Sequence, residues 1–296
     1  MIIYIAIILY SDVEEFSKNF LEIKYEYLPL ILLLVICGII AKVFRQRVLL
    51  SRLDIHVSLK ENFLIFFYGL SLQATPGGLG SMIKSQFIKE NYGHSLLKTM
   101  PIVLVERFHD LFSVITILTV LVFFYPIFEV QLVLVILIPF LGFVYFAVHY
   151  KRILEYLVNR ILKFRFLKKF LGNLFESQDT LEILSEKKIL LSCWGISVLG
   201  LIFDAYSIYF SFRAFGLEFG IIKTTLITFT SLVIGAISFI PAGIGLTEAS
   251  LIGLLLSFQV ELSTASSLAI FIRLTTIWFA TLLGLIGVRF LLLRKN

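Results

Sequence analysis

Apolar runs long enough to cross a bilayer follow one another along almost the whole chain, and at two points a proline-glycine cluster cuts into them. About 20 apolar residues in a helix cover a hydrocarbon core of ~30 Å. In lipid each backbone amide and carbonyl must find its partner inside the protein, so these runs must be helices. With 59% hydrophobic and 16% charged residues among 296, and a mean hydropathy of +0.97, the chain lies outside the range of soluble domains. It reads as one all-α integral membrane domain over residues 1–296, a polytopic transmembrane helical bundle.

The two cuts are Pro76-Gly77-Gly78-Leu79-Gly80 and Pro241-Ala242-Gly243-Ile244-Gly245. Proline lacks the amide that would continue a helix, and glycine adds backbone entropy that helix formation must overcome. Irregular backbone persists at membrane depth only where protein buries it or a polar cavity solvates it. Pro76, Gly77, Gly78 and Gly80, and Pro241, Gly243 and Gly245, are therefore expected to form two tips that build a working site.

Charge placement sets the expected topology. Residues 11–27 are acidic, whereas residues 42–60 carry Lys42, Arg45, Arg47, Arg52 and Lys60, which places the second segment in the cytoplasm. One helix, residues 28–44, joins them. The basic, leucine- and phenylalanine-rich stretch 150–188 reads as an interfacial amphipathic segment on the same side. Two crossings, 96–125 and 131–149, fit between these basic regions. The remaining 61–95 has only about 12 apolar residues before its break, near 18 Å of helix at ~1.5 Å per residue, too short to cross. A re-entrant hairpin satisfies both constraints. In the second half, residues 189–212 cross outward and 264–290 cross back, leaving 220–259 as a hairpin from the opposite face and the C-terminus cytoplasmic. Residues 1–10 are counted as a short first membrane segment.

The halves, about 28–149 and 189–296, thus read as an inverted repeat. Pro76 precedes Arg107 by 31 residues and Pro241 precedes Arg273 by 32. Inverted repeats with interrupted helices place a substrate site near the midplane.

Few ionisable residues fall inside the apolar runs, and each is a site candidate because a lipid-facing charge costs ~2.5–3.5 kcal/mol or more. Glu106, Arg107 and Asp110 share a helical turn, so they can neutralise one another locally or bind an anion on the arginine fork. Arg273 has no acid within one turn, so its partner is either distant in sequence, with Glu248 just past the second tip a plausible protein partner, or belongs to a ligand. Asp204 could pair with either arginine, and Lys84 either adds charge beside the first tip or snorkels to the interface. Cys37 and Cys193 lie apart from each other and from the four histidines, so no disulfide, metal site or cofactor is expected. Basic residues beside membrane segments account for the net charge of +6 without nucleic acid.

Thr75–Gly80, Val105–Asp110, Ile240–Glu248 and the Arg273 helix together resemble the lysylphosphatidylglycerol synthase transmembrane region, also described as a flippase-like domain family of prokaryotic integral membrane proteins. The resemblance implies movement of lipid or lipid-linked head groups between leaflets of a prokaryotic cell membrane. Two departures stand out: the family's first helix is usually fuller, and an acid often follows the first tip where this chain has Ser81.

The leading expectation is a lipid translocase in which Arg107 and Arg273 hold an anionic phospholipid or lipid-linked sugar, and either arginine can be replaced without loss of folding. An integral membrane transferase using Glu106, Asp110, Asp204 or Glu248 as base is the alternative. A noncatalytic partner of a separate transferase is the third reading, and a homodimer is left open.

Overall fold

A computed structural model describes residues 13–73, 79–149, 177–238 and 240–293, and every regular element among them is helical. The first short segment, the tip residues Pro76, Gly77 and Gly78, and residues 150–176 of the basic stretch lie outside these described residues.

After a short amphipathic helix α1 (Val13–Leu21), α2 (Leu28–Arg52) opens with Pro29 in its first turn, where a missing amide costs nothing. It runs well beyond the expected end near residue 44. No proline or second glycine follows Gly38 in this stretch, so the helix continues through Lys42, Arg45 and Arg47. Helix α3 (Leu59–Ser71) starts at a capping box: Ser58 N donates to Glu61 Oε2 at 2.7 Å and Glu61 N donates to Ser58 Oγ at 3.3 Å. Helix α4 (Leu79–Tyr92) follows the first break, with Gly80 in its opening turn. Ser95 caps α5 (Leu96–Phe124), which leads to α6 (Phe128–His149).

The second half begins with α7 (Gln178–Leu184) and α8 (Lys187–Ala214). Helix α9 (Ile221–Ile237), the short 3-10 turn Pro241–Gly243 and α10 (Leu246–Ser257) form the second interrupted pair. Helix α11 (Leu262–Arg273) passes through a π turn, Leu274–Trp278, into α12 (Phe279–Leu293).

Four of these stretches among the described residues are long and apolar enough to cross a membrane: Tyr25–Arg52, Leu96–Phe124, Lys187–Ala214 and Leu262–Phe290. The shorter apolar stretches are Phe128–Phe143, Ile221–Ile237 and Leu246–Ser257. This is an all-helical, multi-pass integral membrane protein.

The two largest of four apolar clusters among the described residues hold most of the bundle together. One unites α2, α3, α4, α5, α7 and α8 through residues such as Leu49, Leu64, Phe87, Ile102 and Cys193. The other unites α5, α6, α8, α9, α10 and α11 through Leu118, Leu137, Phe212, Phe229, Leu255 and Leu268. Each interrupted pair is thus packed into its own cluster, while α5 and α8 belong to both.

Small residues set the closest crossings, as expected where lipid supplies no hydrophobic force between helices. A Cβ on Gly38 of α2 would lie 2.6 Å from Asp204 Oδ1 and 3.3 Å from the Gly200 carbonyl of α8. A Cβ on Gly284 of α12 would come within 2.5 Å of Ser71 N, so the terminal helix is pressed onto the end of α3.

Candidate functional site

A cavity of about 290 Å³ opens between the two interrupted pairs, close to the lower end of the ~300–1,000 Å³ typical of small-molecule sites. Its apolar wall includes Val35, Ile39, Phe66, Leu232, Leu251 and Ile272. Every sequence-nominated binding residue lines it: Lys84, Glu106, Arg107, Asp110, Asp204, Glu248 and Arg273. Lys42 and Arg45 of α2 join them.

The charges are arranged as pairs that cross between elements. Lys84 Nζ of α4 meets Glu106 Oε2 of α5 at 3.0 Å, and its ammonium also stands 4.4 Å from the centre of the Phe66 ring. Gly69 makes room for this lysine, since a Cβ there would lie 2.3 Å from Lys84 Cε. Lys84 is therefore buried and paired instead of snorkelling outward. Arg45 reaches from α2 to Asp110 of α5 at 2.6 Å and to Ser197 Oγ of α8 at 2.7 Å. Asp204 pairs with Lys42 at 2.9 Å, so it neutralises neither Arg107 nor Arg273.

These partners correct the expectation of a self-neutralising turn at 106–110. Glu106 and Asp110 are both taken by cations from other helices, and Arg107 is left without an ion pair among the described residues. The reason is geometric. Glu106 and Asp110 meet α4 and α2, whereas Arg107 is an exposed side chain on the cavity lining.

The expected pair of Arg273 and Glu248 is present and more deeply buried than the others, with side chains 4% and 0% exposed. Arg273 Nε donates to Glu248 Oε1, and Arg273 Nη2 donates to the Ala242 carbonyl at 2.8 Å. Glu248 Oε2 accepts from Gly245 N at 2.6 Å, capping the first turn of α10. The second tip is thus latched to α11 by its own arginine. Ala242 sits there at φ 53°, Gly243 at 63° and Gly245 at 95°. Gly235 and Gly243 are equally constrained, because a Cβ on either would strike Thr247 Oγ1 at 1.8 and 2.5 Å. The burial and pairing of Arg273 argue that replacing it costs stability, whereas the sequence alone led to the expectation that folding stays largely intact.

Arg107 and Arg273 occupy matching places. Each is the twelfth residue of its 29-residue span, Leu96–Phe124 and Leu262–Phe290, about 16 Å from the helix start at ~1.5 Å per residue. Among the described residues five cations and four carboxylates line the cavity. Four cations are paired, and Arg107 carries the surplus charge.

Sequence reasoning missed Lys42 and Arg45 because it assigned them to a cytoplasmic basic segment. Their spacing held a signal: Gly38, Lys42 and Arg45 follow one another at i, i+4 and i+7, one face of a continuing helix.

Residues 1–284 match the family described as the lysylphosphatidylglycerol synthase TM region, and the chain belongs to it. It is 26% identical to a UPF0104 membrane protein of Pyrococcus horikoshii, an alignment covering 93% of this chain and 90% of the relative. A UPF0104 membrane protein of Methanothermobacter thermautotrophicus is 32% identical over 91 residues, 31% of this chain and 27% of that one.

Proposed function

We propose that the protein is a lipid translocase of a prokaryotic cell membrane, moving an anionic or lipid-linked head group between leaflets through the cavity between its two interrupted helix pairs. The observation that carries this reading is Arg107, an arginine on the cavity lining and midway along a membrane helix with no ion pair among the described residues. A charge at that depth is costly unless water or an opposite charge meets it. A phosphate head group supplies the missing partner, and the guanidinium fork can hold two of its oxygens. Acyl chains would stay in the bilayer beside the apolar wall. In this reading the interrupted pairs are re-entrant hairpins of an inverted repeat, entering from opposite faces, with the C-terminus cytoplasmic. The matched positions of Arg107 and Arg273 support that relation.

The four cavity carboxylates are each engaged by a cation, which leaves none free as a general base and weighs against the transferase alternative. The test is translocation of acyl-labelled phosphatidylglycerol in proteoliposomes. The wild type moves the probe; Arg107→Gln loses that movement while unfolding at the wild-type temperature. Unimpaired movement by Arg107→Gln, or a chemically altered lipid product, would overturn the reading.

A further inference from the structure

We infer that the cavity selects a head group with one net negative charge, a phosphodiester monoanion, over zwitterionic and dianionic head groups. This rests on the translocase reading and adds the charge of its substrate. Among the described residues the lining carries five cations against four carboxylates, and the four pairs leave a single guanidinium open. One phosphodiester neutralises it. A zwitterionic head group brings an ammonium into a lining whose carboxylates are already paired. A phosphomonoester, near −2 above about pH 7, needs a second cation.

The structure shows which cation is nearest to release. Lys42 and Asp204 are 30% and 20% exposed, whereas Lys84 and Glu106 are 11% and 8% exposed and Arg273 and Glu248 are buried still further. Arg45 is held by both Asp110 and Ser197. Lys42 is therefore the reserve charge, and Asp204 is the residue that keeps it from the substrate. Asp204 sets the charge preference from a position beside the path, without itself meeting the phosphate.

A phosphodiester monoanion occurs in glycerophospholipids and in polyprenyl phosphosugars, and separate probes distinguish these sources. The wild-type protein is reconstituted in phosphatidylcholine vesicles with acyl-labelled phosphatidylglycerol, phosphatidylcholine or phosphatidic acid, or a labelled polyprenyl phosphosugar, at pH 8. Leaflet exchange is read by quenching the outer label. At least one monoanionic probe moves about tenfold faster or more than phosphatidylcholine and phosphatidic acid, since an unmatched charge at membrane depth is costly. Asp204→Asn frees Lys42 and shifts the preference toward phosphatidic acid. Lys42→Met combined with Asp204→Asn removes the reserve charge and returns the preference to the monoanion, which a merely structural role for the pair would not do. Equal movement of all probes, or an Asp204→Asn variant that folds and keeps the wild-type preference, overturns charge selection while the translocase reading stands. Movement of no probe by the wild type overturns both.

Discussion

The latch at the second tip makes a quantitative prediction. Arg273→Met removes the guanidinium from Glu248, a carboxylate with no solvent exposure, and from the Ala242 carbonyl. Breaking a buried pair on one side costs ~3–5 kcal/mol because the remaining charge is uncompensated. Glu248→Gln strips the charge opposite Arg273 and should cost a similar amount, although the amide oxygen can still accept from Gly245 N. The double variant buries neither charge, so its cost should fall short of the summed single costs by about 2–3 kcal/mol. The assay is reversible unfolding in mixed micelles by added dodecyl sulfate, followed through the fluorescence of Trp194 and Trp278. Single costs below about 1 kcal/mol, or additivity within ~0.5 kcal/mol, would refute the idea that Arg273 spends its charge inside the protein. Translocation should decline in these variants only in proportion to the folded fraction, which separates Arg273 from Arg107.

Two further outcomes follow from local geometry. Gly69→Ala forces Lys84 off Phe66 and away from Glu106; overpacking of this kind costs ~1–3 kcal/mol, and thermal unfolding should show the loss. Ala242 occupies a left-handed conformation that costs a residue with a Cβ ~1–2 kcal/mol. Ala242→Gly should therefore be neutral or stabilising in the same measurement, whereas Ala242→Val should destabilise.

Much of the fold was legible because membrane helices declare themselves by length and apolarity. The expected crossing 96–125 is α5, Leu96–Phe124, and 189–212 is α8, Lys187–Ala214. The Arg273–Glu248 pair could be anticipated as one option, since no acid lies within one helical turn of Arg273 and Glu248 follows the second tip, with Asp204 or a ligand as the other partners the sequence allowed. The partners of Glu106, Asp110 and Asp204 could not. Lys84 lies 22 residues from Glu106, Arg45 lies 65 from Asp110 and Lys42 lies 162 from Asp204. Such pairings depend on how helices face one another, which local spacing does not encode. Lys42 and Arg45 were hidden for a further reason: a positive charge close to a helix end satisfies the orientation rule equally well inside or outside the helix. Only the uninterrupted course of α2 to Arg52 turns them toward the cavity.

The central claim, that a lipid head group occupies this cavity beside Arg107, is tested most directly by protection of a single cysteine. In a background with Cys37 and Cys193 replaced by alanine, Thr276→Cys places a thiol on the cavity lining between Arg273 and Ala280. Its reaction with a small hydrophilic thiol reagent is measured in detergent with added phosphatidylglycerol or phosphatidylcholine. The account predicts that phosphatidylglycerol slows the reaction and phosphatidylcholine does not, and that adding Arg107→Gln abolishes the protection. Equal reaction rates with both lipids, in a protein that still translocates phosphatidylglycerol, would place the head-group path elsewhere and contradict it.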